Sequence, residues 1–181
     1  MNLPFHDPHA QVEGGPADIL VPRPASASAT TTAIVMELEH ANYLGFIHGG
    51  EIMRLVDNGA AVAAHRHCKR RVVTAAMDDM SFLVPVHLGE LLTVKAMVND
   101  AHRTSMEVGV RVEVENIQTG EVRHVSTAYL VFVALDEEGH PAQVPPVRAD
   151  TPEEVRRQRQ AQVRREQRLA RKRAVEDVAR E

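Results

Sequence analysis

A single cysteine, Cys68, occurs in the 181 residues. That excludes an internal disulfide and favours a reducing compartment. Long apolar runs are missing as well. The longest, Tyr129 to Leu135, falls far short of the roughly 20 residues that span a bilayer, so no membrane insertion is expected. The N-terminus has no charged-then-apolar leader pattern, and together these absences read as a cytoplasmic protein. Ten histidines supply neither H-x-x-x-H nor H-E-x-x-H. His65 and His67 are two residues apart and leave a helix on different faces, so no metal and no cofactor are expected. Aromatic residues make up only 3%, tryptophan is absent, and no repeat of solenoid period is present.

What the chain does have is charge, unevenly placed. The net charge of −4 divides into +4 for residues 151–181 and −8 for the rest. A basic tail can serve nucleic acid or an anionic surface. This one lacks interleaved aromatics and mixes in Glu153, Glu154, Glu166, Glu176 and Asp177, as a solvated or oligomer-lining helix does, so no nucleic-acid partner is expected. Its sizeable apolar residues, Val155, Val163, Leu169, Val175 and Val178, are too sparse for an independent core. Any order should come from lying against the body or a neighbouring subunit, where the tail would tune assembly and solubility rather than catalysis.

Composition divides the chain into three parts. Residues 1–28 are rich in Pro, Gly, Ala and Ser and read as a disordered lead-in. Residues 29–147 form the folded domain, and 148–181 form a charged helical extension. Within the domain, Thr31 to Leu38 reads as a strand and Gly49 to His67 as a helix. Val72 to Phe82, Leu91 to Ala101, Thr104 to Glu115 and Val122 to Leu135 follow as strands. In the third of these, Met106, Val108, Val110, Val112 and Val114 alternate with Glu107, Arg111, Glu113 and Glu115, which predicts one buried and one wet face. The helix, with Ile52, Met53, Leu55, Val56 and Ala60 to Ala64, is apolar nearly all round, as a helix wrapped by a sheet should be. One strand, one buried helix and a long antiparallel meander define an α+β hotdog pattern, a curved sheet around a central helix.

The helix start is the most informative stretch. H-A-N-Y-L-G-F-I-H-G-G, His40 to Gly50, leads into it, and Asp57 is its only carboxylate beyond the first turn. Gly49 and Gly50 permit close approach to the backbone, and the unpaired N–H groups of a helix start suit a polarised carbonyl oxygen. The same glycines would also allow tight packing, with Asp57 a satisfied core acid.

N-x-x-G-x-x-H-G-G from Asn42, followed by I-M-x-x-V-D ending at Asp57, resembles the signature of the acyl-CoA thioesterase branch of the hotdog superfamily, which includes brain acyl-CoA hydrolase and bacterial relatives. V-V-T-A-A-M-D-D-M-S-F-L-V-P-V, Val72 to Val86, resembles that family's strand after the helix. R-T-S-M-E-V from Arg103 resembles its coenzyme-contacting strand. The resemblance implies hydrolysis of acyl-CoA by a dimeric double hotdog, commonly a trimer of dimers. Gly50 and Gly49 would then stabilise the oxyanion, Asp57 would act as base or nucleophile, Asn42 would orient water or thioester, and Thr74 would hold the carboxylate. Arg103, Thr104 and Ser105 would contact coenzyme A, and His48 is a further candidate for its phosphopantetheine arm. Asn42 and His48 would equally serve as local turn and hydrogen-bonding residues, and Thr74 as an ordinary strand residue. Arg66, Lys69, Arg70 and Arg71 form a basic knot that suits either phosphates or the helix dipole. His40 departs from the pattern, since the family often carries an acid there.

Along the helix, Asp57 lies roughly 10 Å from Gly50, too far to serve a carbonyl held at the same helix start. A second copy of the chain is therefore expected to complete the site. Two other classes share the fold, a non-hydrolytic acyl-CoA sensor and an acyl-thioester dehydratase or hydratase. The first would need a DNA-binding helix pair that the lead-in is too short and Pro-rich to form. The second usually pairs a His with its carboxylate, and the helix has none one turn from Asp57.

Overall fold

The computed structural model describes residues 21–180. In chain order these form β1 (Arg23–Pro24), a 3-10 turn (Ala25–Ser28), β2 (Thr30–Val35), a second 3-10 turn (Leu38–His40), α1 (Gly49–Cys68), β3 (Arg71–Met77), β4 (Leu91–Ala101), β5 (Ser105–Asn116), β6 (Glu121–Leu135), β7 (Val147–Arg148) and α2 (Pro152–Val178). The main sheet has the order β2-β4-β5-β6-β3 and is antiparallel throughout. Tight turns join β4, β5 and β6, so the meander builds the middle of the sheet while β2 and β3 form its edges. At the β5–β6 turn, Gly120 sits at φ +73°, where a side chain would be strained.

Helix α1 forms because its apolar residues recur at helical spacing. Ile52, Val56, Ala60, Ala63, Ala64 and His67 are all buried on the stripe that faces the inner side of the sheet. The small residues let helix and sheet approach closely. A Cβ on Gly59 would sit 3.0 Å from Val94 Cγ1 on β4. The helix is not covered all round, however. Met53 is 42% exposed and Val62 45%; nine residues apart, they lie on opposite flanks of α1, because the sheet curls past only part of the helix.

The inner face of the sheet follows the alternation: Met106, Val108, Val110, Val112 and Val114 of β5 are buried against α1. The outer face does not. Glu107, expected to be wet, is only 5% exposed because α2 lies across it. Arg164 Nη2 donates to Glu107 Oε1 at 2.6 Å and Asn99 Nδ2 to the same oxygen at 3.2 Å. Farther along, Gln158 Nε2 donates to Asp100 Oδ1 at 3.0 Å. Helix α2 opens with a capping box in which the Thr151 hydroxyl accepts from Glu154 N–H and the Glu154 carboxylate accepts from Thr151 N–H, with Pro152 in its first turn. The tail thus gains its order from the body, mainly through charged and amide contacts, with Ala161 its buried apolar residue.

Three boundaries differ from the sequence reading; the first strand, expected to reach Leu38, ends at Val35, and Leu38 opens a 3-10 turn. Residues 1–20 of the expected lead-in lie outside the described residues, but 21–28 are structured. Arg23 and Pro24 pair in parallel with Val147 and Arg148, Ala25 and Ser28 are buried, and the Ser28 hydroxyl accepts from Val98 N–H at 2.9 Å. Burial and these long-range bonds override a Pro/Ala-rich composition. The expected strand to Phe82 stops at Met77. From there the chain meets β6 through two backbone bonds, Asp78 N–H to Tyr129 O at 2.8 Å and Leu83 N–H to Val125 O at 2.9 Å. Among the described residues, no helix is long and apolar enough to cross a membrane.

Candidate active site

Asp57 projects from the middle of α1 toward β3, where the Thr74 hydroxyl donates to Asp57 Oδ1 at 2.7 Å. β3 places Thr74 there. It pairs with Phe132 of β6, which pairs in turn with Met106 of β5, and residues directly opposite on antiparallel strands share a face. Phe132 and Met106 are buried, so this row faces α1. Just beyond Thr74 the register with β6 shifts before Ala76, a bulge that turns the next residues of the edge.

The loop before α1 is built by Asn42. Its Oδ1 accepts from Leu44 N–H at 2.9 Å and from Phe46 N–H at 3.3 Å, an Asx turn that leaves the amide Nδ2 as a donor. Gly45 at φ +82° completes the turn. His48 caps the helix, its Nδ1 accepting from Gly50 N–H at 3.0 Å. In the neutral ring this places the hydrogen on Nε2. The local roles open to Asn42 and His48 are therefore both occupied in this chain. Gly50's amide can meet a carbonyl only when the His48 cap bond opens, whereas Gly49, as the first helical residue, has no intrahelical acceptor.

Charge around the helix start is balanced locally. A hydrogen bond from Arg54 holds the Glu51 carboxyl below its usual range, with the nearby His40 and His48 adding to the effect. His40, which stands where an acid was expected, is buried. Its Nδ1 accepts from Glu37 N–H at 2.9 Å and its Nε2 lies 3.8 Å from Glu51 Oε1. His40 thus turns its hydrogen-bearing nitrogen toward the helix's first turn. Neither Glu51 nor Phe82 stood out in the sequence. A Cβ on Gly49 would lie 3.5 Å from Phe82 Cζ, so this half-exposed ring covers the first residue of the helix.

Arg103 and Thr104 form the β4–β5 turn and Ser105 opens β5. Their carbonyls are tied down: Arg103 O accepts from Val144 N–H, Thr104 O from Ala134 N–H and Ser105 O from His102 N–H. Ser105 pairs with Val133, and Val133 with Val73. The turn therefore ends the sheet at the level of Thr74, about 10 Å across two strand spacings. In the basic knot, Arg66 donates to Ala29 O and Arg71 to Asp136 O and Glu137 O, while Lys69, at φ 55°, caps the helix. Arg66 and Arg71 therefore have structural work of their own.

Two groups of predicted residues emerge. Asp57 and Thr74 touch. Asn42, His48, Gly49 and Gly50 gather at the helix start, two turns away.

A central helix in a curled antiparallel sheet defines a hotdog protein, and here a carboxylate–hydroxyl pair lies between helix and sheet. A family model for the Thioesterase superfamily matches residues 44–121. A Bacillus subtilis protein named an uncharacterized acyl-CoA thioester hydrolase is 37% identical over 148 residues, which is 82% of this chain and 86% of the relative. Among solved structures, an apo-hexameric acyl-CoA thioesterase superposes with a TM-score of 0.81 at 36% identity, over 84% of this chain and 97% of its own. The Staphylococcus aureus acyl-CoA hydrolase, solved with butyryl coenzyme A, coenzyme A and coenzyme A disulfide, gives 0.79 at 33% identity, over 87% and 98%. That hydrolase has also been solved with an Asn, an Asp and a Thr each replaced by Ala. These three residue types have the order and sequence spacing of Asn42, Asp57 and Thr74. The chain belongs to the Thioesterase superfamily, among its acyl-CoA thioester hydrolases.

Proposed function

We propose that this chain hydrolyses acyl-CoA thioesters to the free acid and coenzyme A, in a site completed by two copies of itself. The observation that carries the reading is the 2.7 Å hydrogen bond from Thr74 to Asp57 Oδ1, which fixes the one carboxylate of α1 beyond its first turn. Asp57 takes a proton from water, the hydroxide adds to the thioester carbonyl, and the C–S bond breaks to release the coenzyme A thiol. In the alternative route the carboxylate itself attacks, and water then hydrolyses the resulting anhydride. Gly49 N–H, joined by Gly50 N–H once His48 lets go, donates to the developing oxyanion. Asn42 Nδ2, the free end of its Asx turn, holds the water or the thioester. Arg103 and the backbone around Thr104 and Ser105 meet the coenzyme A, and His48 Nε2 meets its pantetheine arm. No cofactor is required beyond the coenzyme A that the substrate brings.

The roughly 10 Å along α1 between the helix start and Asp57 is the reason for two copies. β3 is an edge strand carrying Thr74, Val73 beside it is exposed, and so is Met53, one turn before Asp57 on α1. Edge pairing across a two-fold would cover the open edge of β3 while bringing the helix start of one copy to Asp57 of the other. Three such dimers would make the hexamer. A cytoplasmic setting belongs to the same reading and fits a sole cysteine that is buried and free.

The test is thiol release from a panel of acyl-CoAs. Asp57→Asn should lower turnover by orders of magnitude with the fold intact, and Asn42→Ala should also impair it. Mixing the two variants under subunit exchange should restore activity, because one site of each hybrid is whole. Full activity in Asp57→Asn would remove the catalytic assignment. No rescue despite proven exchange would place a complete site within each chain. Saturable acyl-CoA binding without thiol release would make the protein a sensor, and release of water across a double bond would make it a dehydratase.

A further inference from the structure

Helix α2 lies on the outer face of the sheet, whereas the start of α1 belongs to the other layer. One segment, residues 78–82, touches both. It leaves β3 at Asp78 and is fixed to the backbone of β6 only at Asp78 N–H and Leu83 N–H. Residues 79–82 between these points adopt no regular structure. At its first residue, Asp78 Oδ2 accepts from Arg168 Nη1 of α2 at 2.6 Å, with both side chains mostly buried. At its last, the Phe82 ring rests on Gly49. On the α2 side the segment borders a cavity of about 410 Å³, lined among others by Asp78, Ser81, Leu83 and Arg171, so space is available for it to swing away from α1.

We infer that Arg168 is a positioning residue for the thioesterase site: its ion pair with Asp78 holds the segment so that Phe82 covers the Gly49 end of the oxyanion helix. Arg168 has a firm base from which to do this. One helical turn earlier, Arg164 forks onto Glu107 and lies 3.5 Å over the Tyr129 ring, and Tyr129 O is the acceptor of Asp78 N–H. A ring 3.5 Å from the Cβ position of Gly49 keeps water off that flank of the helix start while leaving the N–H open to a carbonyl, and donors in a drier site stabilise an oxyanion more strongly. The tail's role then extends from assembly to the chemistry itself. The inference rests on the reading of Gly49 as an oxyanion donor, and one arm of its test does not.

Kinetically, Arg168→Ala should lower kcat/KM about tenfold, and Phe82→Ala by a similar factor. Because Arg168 acts through Phe82, the double variant should be no worse than Phe82→Ala alone. Exchanging the charges, Asp78→Arg with Arg168→Asp, should recover most of the loss, and Arg171→Ala, on the same cavity, should change nothing. Full additivity of the two losses, or unchanged kinetics in an Arg168→Ala protein of normal oligomeric state, would overturn the inference. The absence of tryptophan supplies a readout independent of activity. Phe82→Trp is a single-tryptophan reporter, and adding Arg168→Ala should red-shift its emission and raise its acrylamide quenching about twofold as the segment loosens. Unchanged quenching would sink the inference even if the protein hydrolyses acyl-CoA. Raised quenching in a protein that releases no thiol would leave the clamp standing and remove the thioesterase reading instead.

Discussion

Helix α1 meets one face of the sheet through valine, isoleucine, alanine and glycine, whereas α2 meets the other mainly through arginine and glutamine, with Ala161 its buried apolar residue. On the inner side the contact is close and almost wholly apolar, down to the 3.0 Å approach that Gly59 permits at Val94. On the outer side Glu107, Asn99 and Asp100 are buried and need specific partners, because an unpaired polar group out of water is costly. The inner contact depends on volume and the outer one on pairing. A volume contact tolerates exchange among apolar residues of similar size, while a pairing contact fails when one member is lost.

The largest effect expected from breaking this contrast lies on the inner face. Phe132 is fully buried opposite Thr74, and Phe132→Ala should cost about 3–5 kcal/mol in urea unfolding. Phe132→Leu should cost much less. On the outer face, Arg164→Ala should cost about 2–3 kcal/mol by leaving Glu107 without its cation. The sharper test is Arg164→Met with Glu107→Gln, which removes both charges and should recover much of the loss. Failure to recover would mean that α2 is held by packing after all, and the distinction between the two faces would collapse.

A third measurement uses pH. Burial pushes the His67 ring below its ordinary value of 6.5. The ring sits neutral against Pro145 O at 2.9 Å. The unfolded ring takes up a proton at a higher pH than the folded one, so this contribution is fully present above 6.5 and lost as pH falls below it. The midpoint of thermal unfolding should drop between about pH 7 and 5, and His67→Gln should flatten that slope. An equal slope in the variant would assign the loss to other groups, of which His102, also lowered by burial, is the next to test. The smallest effect is expected on the exposed side of α2. Arg157 donates to Glu153 at 2.6 Å in open solvent, and Arg157→Ala should leave the unfolding midpoint unchanged.

The inner layer was legible in the sequence because its code is periodic. The run from Met106 to Val114 alternates, α1 repeats at helical spacing, and the Gly-Gly pair marks the start of α1 at Gly49. The pairing of Thr74 with Asp57 came from motif resemblance rather than from periodicity, and the geometry joins them. The outer layer was not legible. Nothing in M-E-V distinguishes Glu107 from Glu113; burial of the first depends on α2 landing on it from 57 residues away. In sequence Phe82 looks like the end of a strand, because its contact with Gly49 is one between segments and leaves no spacing pattern. Met53 and Val62 also read as core although they are exposed: an apolar residue on the flank of a helix looks the same in sequence whether or not anything covers it.

The order of strands in the sheet also dictates when a site can exist. β4, β5 and β6 are neighbours in sequence and close through short loops, so their contacts form with little loss of chain entropy. Both edge strands are remote from their partners. β2 pairs with β4 across the whole of α1, and β3 reaches β6 only after the intervening meander has passed. Long-range pairing of this kind is the slow part of folding. During synthesis, α1 and β3 emerge before the meander and must wait, with Thr74 lacking its neighbour Phe132 until residues near 132 have left the ribosome. The carboxylate–hydroxyl pair is thus among the last features of the domain to form, and the nascent chain holds an apolar helix without its cover for the time it takes to make about sixty residues, several seconds at ordinary elongation rates.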